Sequence, residues 1–260
     1  MIIRNRAKDR LRAGALAVGF TVRLIRTPEI ALVAEAAGFE FLLIDREHGG
    51  ATTEQIAQIS AAALGAGITP IVRVPSHEAV EASLALDLGA MGIVMPHVHT
   101  AAAARAAVQA CKFPPLGRRS IPGGLPQIGY AVVNSDDLAM QCNEQTLLIV
   151  MLESALAIEN IDEIAAVEGI DVLWIGPNDL CADMGITGQY ENERLVSAFE
   201  RVIDAAQRHG KFVGMGGIYD EKSVSKFLRM GVRMLLGGAD VAFVSKAARE
   251  RRQFMAGVPL

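Results

Sequence analysis

The chain has 260 residues, 51% of them hydrophobic and only 5% aromatic, and carries a formal net charge of −4. That balance provides no basic footprint for nucleic acid, and the apolar run from Leu16 to Phe20 falls far short of the roughly 20 residues of a membrane span. Charges within residues 1–6 interrupt any signal-peptide core, and the 3 cysteines, Cys111, Cys142 and Cys181, are odd in number and lack C-x-x-C spacing. A soluble cytoplasmic protein with free thiols is expected, with neither membrane nor nucleic-acid partners.

An N-terminal helix is expected within 1–14, with 5–12 lying across the bottom of the fold. Strand-like aliphatic runs follow at 15–21, 41–45, 69–74, 91–95, 146–152, 172–175, 212–215 and 233–236. Alanine-rich amphipathic stretches at 28–37, 53–66, 77–88, 101–111, 158–167, 193–209 and 221–230 alternate with them, and 241–254 follows the last strand. Thr27-Pro28 opens one helix, and Gly38, Gly67, Gly89, Gly210 and Gly231 close others. Continuous aliphatic runs are the mark of strands buried on both faces. Eight alternating units predict a single α/β domain over 1–260, a closed (β/α)8 TIM barrel, whose usual length is about 250 residues. One stretch, 113–145, breaks the rhythm with Pro114-Pro115, Pro122-Gly123-Gly124, Pro126 and Gly129. A connection so long reads as a functional loop or an interface.

The chemistry-bearing residues fall just past strand ends, and in such a barrel those ends share one face. Glu153 and Asp179 follow adjacent strands, so both carboxylates can converge on one cation. Two carboxylates with room for water and a chelating substrate suit a divalent metal ion such as Mg2+, Mn2+ or Co2+ better than structural zinc. His48, in the turn after the second strand, is placed as a general base, with an ordinary pKa of about 6.5. Either Asp45 or Asp87 could fix its tautomer. Arg73 ends a strand of branched aliphatics and so requires an anionic partner, either a structural carboxylate or an enolate oxygen. His97-Val98-His99 has the spacing of a metal pair, but no further histidines stand after the middle strands. The glycine runs 214–217 and 237–238 lack an accompanying cation for phosphate. No lysine stands at a strand's C-terminal end, so an imine mechanism has no nucleophile.

The motifs Leu43-Ile44-Asp45-Arg46-Glu47-His48-Gly49, Val72-Arg73-Val74, Leu86-Asp87-Leu88-Gly89-Ala90 and Ile175-Gly176-Pro177-Asn178-Asp179-Leu180 resemble the class II pyruvate-dependent aldolases, of the 4-hydroxy-2-oxoheptanedioate and 2-dehydro-3-deoxyglucarate aldolase type. The resemblance implies a metal-dependent carbon–carbon lyase acting on a small 2-oxo acid, pyruvate or hydroxypyruvate, and an aldehyde. It further implies that His48 is the base with Asp87 raising its basicity, that Arg73 stabilises the enolate, and that Glu153 and Asp179 hold the metal. The substrate-binding turn would be Gly176, Pro177, Asn178 and Asp179. A homo-oligomer is implied, commonly a hexamer, with the helix of 240–260 exchanged between barrels. Met151 stands where that family usually has Gln. The alternatives are a metal-dependent barrel hydrolase, which needs more histidines, a phosphosugar isomerase, which needs a phosphate site, and a silent homologue lacking one of His48, Arg73, Glu153 or Asp179.

Overall fold

The computed structural model describes residues 4–259. Residues 1–3 of the expected N-terminal helical segment lie outside the described residues, as does 260. Eight parallel strands close into a barrel in sequence order, with β1 between β2 and β8. They are β1 Ala17–Val22, β2 Phe41–Asp45, β3 Thr69–Arg73, β4 Gly92–Met95, β5 Leu147–Leu152, β6 Val172–Ile175, β7 Phe212–Met215 and β8 Met234–Ala239. The helices are α1 Arg6–Arg12, α2 Glu29–Ala36, α3 Thr53–Ala66, α4 Ala79–Asp87, α5 Ala101–Cys111 and α6 Ser135–Gln145, then α7 Ala155–Glu159, α8 Ile161–Ala165, α9 Pro177–Asp183, α10 Glu193–Arg208, α11 Glu221–Met230 and α12 Asp240–Ala256.

Strand side chains alternate between two cores. Phe41, Leu43, Ile71, Val94, Leu147, Ile149, Met151, Val172, Trp174, Met234 and Leu236 fill the barrel interior, together with Ala7 and Leu11 of α1. The intervening residues, such as Leu42, Ile44, Leu148 and Val150, pack against the helices. This parity also sets which way the residues at and just past each strand end point. Asp45 continues the inward row of Phe41 and Leu43, Arg73 that of Ile71, and Glu153 that of Leu147, Ile149 and Met151.

The segment 113–145 departs from the expected loop. It contains a short 3-10 turn, Pro126–Ile128, and α6, whose N-terminus is capped by the Asn134 side chain accepting from the N–H groups of Asp136 and Asp137. Phe113, Leu125, Ile128, Leu138 and Cys142 form a satellite core there with Met91. The single helix expected at 158–167 is two short helices meeting at Asn160, whose Nδ2 donates to the His99 carbonyl at 2.9 Å. No helix among the described residues is long and apolar enough to cross a membrane.

Candidate active site

The C-terminal strand ends enclose a cavity of about 490 Å³ whose lining includes Arg23, His48, Arg73, Met151, Glu153, Trp174, Asp179 and Tyr219. A larger cavity, about 950 Å³, lies at the other end of the barrel against α1 and α3 and contains none of the expected site residues.

Asp45 is the organiser. It is fully buried, and its Oδ1 accepts from Arg73 Nε at 2.9 Å and from the backbone N–H groups of Glu47 and His48 at 3.1 and 3.2 Å. Its Oδ2 accepts from Arg73 Nη2 at 2.7 Å and from Arg23 Nε at 2.6 Å. Burial alone would raise this carboxyl, but the bonds and charge of Arg73, with Arg23, outweigh it and hold Asp45 below the usual carboxylate range. Arg73 is likewise disfavoured by burial, yet Asp45, Glu47 and Glu153 keep it firmly charged. Of the two carboxylates weighed for His48, Asp45 therefore fixes the turn through its backbone. The carboxylate facing the ring is Glu47, with Oε2 3.9 Å from His48 Nε2 and 2.7 Å from Arg73 Nη1.

Asp87, which the resemblance gives as raising the basicity of His48, does not line this cavity within one chain. A helix after a barrel strand runs back towards the N-terminal face, so the last residue of α4 ends far from the strand tips. There Asp87 Oδ1 accepts from Arg119 Nη2 at 2.5 Å, and the Arg119 guanidinium stacks 4.4 Å from the Phe113 ring centroid.

Glu153 is buried on the floor of the cavity, beside Gly176. A Cβ on Gly176 would come within 2.8 Å of the Glu153 side chain, so the glycine makes room for the carboxylate. Burial pushes the Glu153 carboxyl up. His97 opposes this, while the negative charges of Glu47 and Asp179 add to it. Asp179 is exposed towards the cavity at the start of α9. A buried carboxyl with a second carboxylate lining the same cavity fits a hard divalent cation, and the donors are oxygen rather than sulfur.

His97 stands in the left-handed region, φ 49°, an uncommon conformation outside glycine. Its N–H donates to Glu153 Oε2 at 3.1 Å, its Nδ1 lies 3.0 Å from the same oxygen, and its Nε2 lies 2.8 Å from Glu47 Oε1. His99 instead meets Ser154 Oγ at 2.7 Å, so the two rings do not form the metal pair of a barrel hydrolase. In the glycine run at the end of β7, Gly216 makes room for Trp174 and Leu236. Met151 Sδ lies 4.0 Å from Arg73 Nη1, and Asn178 accepts from the Tyr190 hydroxyl at 2.7 Å. The cavity thus unites His48, Arg73, Met151, Glu153 and the Gly176-Pro177-Asn178-Asp179 turn, and adds Arg23, with Glu47 and His97 closing the network at its edge.

Residues 24–247 match the family model described as HpcH/HpaI aldolase/citrate lyase. The chain belongs to this family. The 4-hydroxy-4-methyl-2-oxoglutarate aldolase of Chaetomium globosum is 42% identical over 94% of this chain and 92% of its own length. The hydroxypyruvate/pyruvate aldolase of Paraburkholderia phytofirmans is 33% identical over 84% and 85%. The crystal structure of an HpcH/HpaI aldolase from Desulfitobacterium hafniense superposes with a TM-score of 0.91, at 31% identity and 97% coverage of both chains. The resemblance to the 2-oxo acid aldolases and the closed barrel both hold.

Proposed function

We propose that this HpcH/HpaI family member is a metal-dependent lyase that reversibly cleaves a 4-hydroxy-2-oxo acid into a pyruvate or hydroxypyruvate donor and a carbonyl acceptor. One observation supports the reading: the carboxylates of Glu153 and Asp179, the fixed guanidinium of Arg73 and the imidazole of His48 line one cavity. The relatives named above carry aldolase names on substrates of this kind.

Glu153 and Asp179 hold the divalent ion, Mg2+, Mn2+ or Co2+, which when bound polarises the donor's C2 carbonyl and makes its C3 protons labile. The Gly176-Pro177-Asn178-Asp179 turn faces the donor carboxylate. His48 takes the proton from the C4 hydroxyl, the C3–C4 bond breaks, and its electrons move into the enolate while the acceptor leaves as a carbonyl. Arg73, fixed by Asp45 and Glu47, is the charged donor opposite the enolate oxygen, and losing such a donor typically costs about 10²–10³ in kcat. Lys8, Lys112 and Lys211 are engaged at the barrel's other end, and neither they nor Lys222, Lys226 and Lys246 line the cavity, which disfavours an imine route.

The working form is a cytoplasmic homo-oligomer, a hexamer by family resemblance, in which α12 packs on another copy. Within one chain only Asp240 of α12 is buried, while Phe254 and Met255 are exposed. The free, buried thiols of Cys111, Cys142 and Cys181 suit a reducing compartment.

Pyruvate release from 4-hydroxy-2-oxo acids tests the reaction. Activity that disappears on chelation and returns with Mg2+, Mn2+ or Co2+, without a borohydride-trapped lysine adduct, is expected. A trapped adduct would replace the metal mechanism with an imine mechanism.

A further inference from the structure

We propose that Arg23 is the specificity-determining residue of the acceptor subsite, recognising a carboxylate on the carbonyl acceptor. The inference rests on the aldolase reading of the same cavity.

The barrel order separates the two halves of the substrate. Glu153 and Asp179 follow β5 and β6, and β1 and β2 lie on the other side of the closed ring. A donor anchored at β5 and β6 therefore extends its C4 end towards β1 and β2, where His48 must meet the C4 hydroxyl. Arg23 follows β1 with the inward parity of Ala17, Gly19 and Thr21, and it lines the cavity. Its stem runs beside the turn that carries His48: a Cβ on Gly49 would lie 3.7 Å from Arg23 Cγ.

Its position is fixed but its charge is not consumed. The Arg23 N–H donates to both oxygens of buried Asp240, at 3.1 and 3.2 Å, and Nε donates to Asp45 Oδ2 at 2.6 Å. That carboxylate already takes two bonds from Arg73, which also pairs with Glu47 at 2.7 Å, so Arg23 shares its anionic partner with a second guanidinium. Among the described residues, neither Nη group of Arg23 has a hydrogen-bond partner, and the side chain is 38% exposed. A held fork with two free donors and unspent positive charge is what a carboxylate requires. Without Arg23, a second substrate carboxylate would enter a site that already contains Asp45, Glu47, Glu153 and Asp179.

The test compares cleavage of 4-hydroxy-2-oxoglutarate, whose acceptor half is a carboxylate, with 4-hydroxy-2-oxovalerate, whose acceptor half is neutral. Wild type should favour the former. Arg23→Gln should lower the ratio of their kcat/KM values by about 10- to 100-fold, the size of a lost charged hydrogen bond, and Arg23→Lys should restore part of it. Equal losses on both substrates, or an unchanged ratio, would show that Arg23 only supports Asp45 and would overturn the subsite. Deuterium exchange into the pyruvate methyl group needs no acceptor and separates the two readings. If wild type, supplied with metal, shows no exchange, the aldolase reading fails and the subsite with it. If exchange is intact and the ratio is unmoved, the subsite alone fails.

Discussion

Asp45 joins a strand end, a turn and two guanidiniums through five hydrogen bonds, so the roles of its neighbours can be separated only by partial reactions. In the proposed mechanism His48 would move protons at C4, whereas Arg73 would stabilise charge at the donor. His48→Ala should lower kcat for cleavage by about 10²–10⁴-fold while changing pyruvate binding little. Arg73→Ala should also suppress methyl-proton exchange in pyruvate, read by NMR; normal exchange in that variant would show that the guanidinium only builds the site. Most of these residues were legible because each follows an aliphatic run. Arg23 was not singled out because the first run was read as ending at Thr21, although inward parity from Ala17 leads directly to it. Glu47 was hidden between Arg46 and His48, and nothing in its spacing announced that it would bridge Arg73 and His97. Asp87 was legible as an anomaly at a helix end, but its partner Arg119 comes from the irregular 113–145 segment, where sequence periodicity says least.

At the scale of elements, α1 closes the barrel's N-terminal mouth through one acidic hub. Lys8 Nζ donates to Asp171 Oδ1 at 2.6 Å, Lys112 Nζ donates to Oδ2 at 3.2 Å, and the Leu148 N–H donates to Oδ2 at 2.8 Å. Burial pushes the Asp171 carboxyl up, but Lys112, Lys8 and the Leu148 N–H hold it below its ordinary value of 3.8. A carboxyl depressed in the folded state contributes stability that is full above its unfolded pKa and is lost as pH falls through the folded one. Stability at neutral pH should therefore decline in acid, below about pH 4. Asp171→Asn should cost about 3–5 kcal/mol by leaving two buried ammonium groups underpaired; an unchanged denaturant midpoint would contradict this. Long periodic helices such as α10 were read to within a residue. The break at Asn160 was not, because a side-chain bond to the His99 carbonyl decides it. Nor was α6, whose capping residue follows a stretch rich in glycine and proline.

At the scale of the whole molecule, the barrel was legible because eight aliphatic runs alternate with helices and only a closed ring buries all of them. What covers the outer end of α12 was not, because Phe254 and Met255 remain exposed there, with Arg251 over the Phe254 ring. If α12 is an interface between copies, Phe254→Asp combined with Met255→Asp should lower the mass measured by light scattering. An oligomer of unchanged mass would place the interface elsewhere. In the proposed function, Glu153 and Asp179 would hold the metal that lets this cavity enolise a 2-oxo acid. Deuterium incorporation into the methyl group of pyruvate, followed by NMR with Mg2+, after exhaustive chelation and after metal is restored, tests it most directly. Exchange should stop with chelation, return with the metal, and not be restored in Glu153→Gln. Full exchange by the metal-free protein would contradict it.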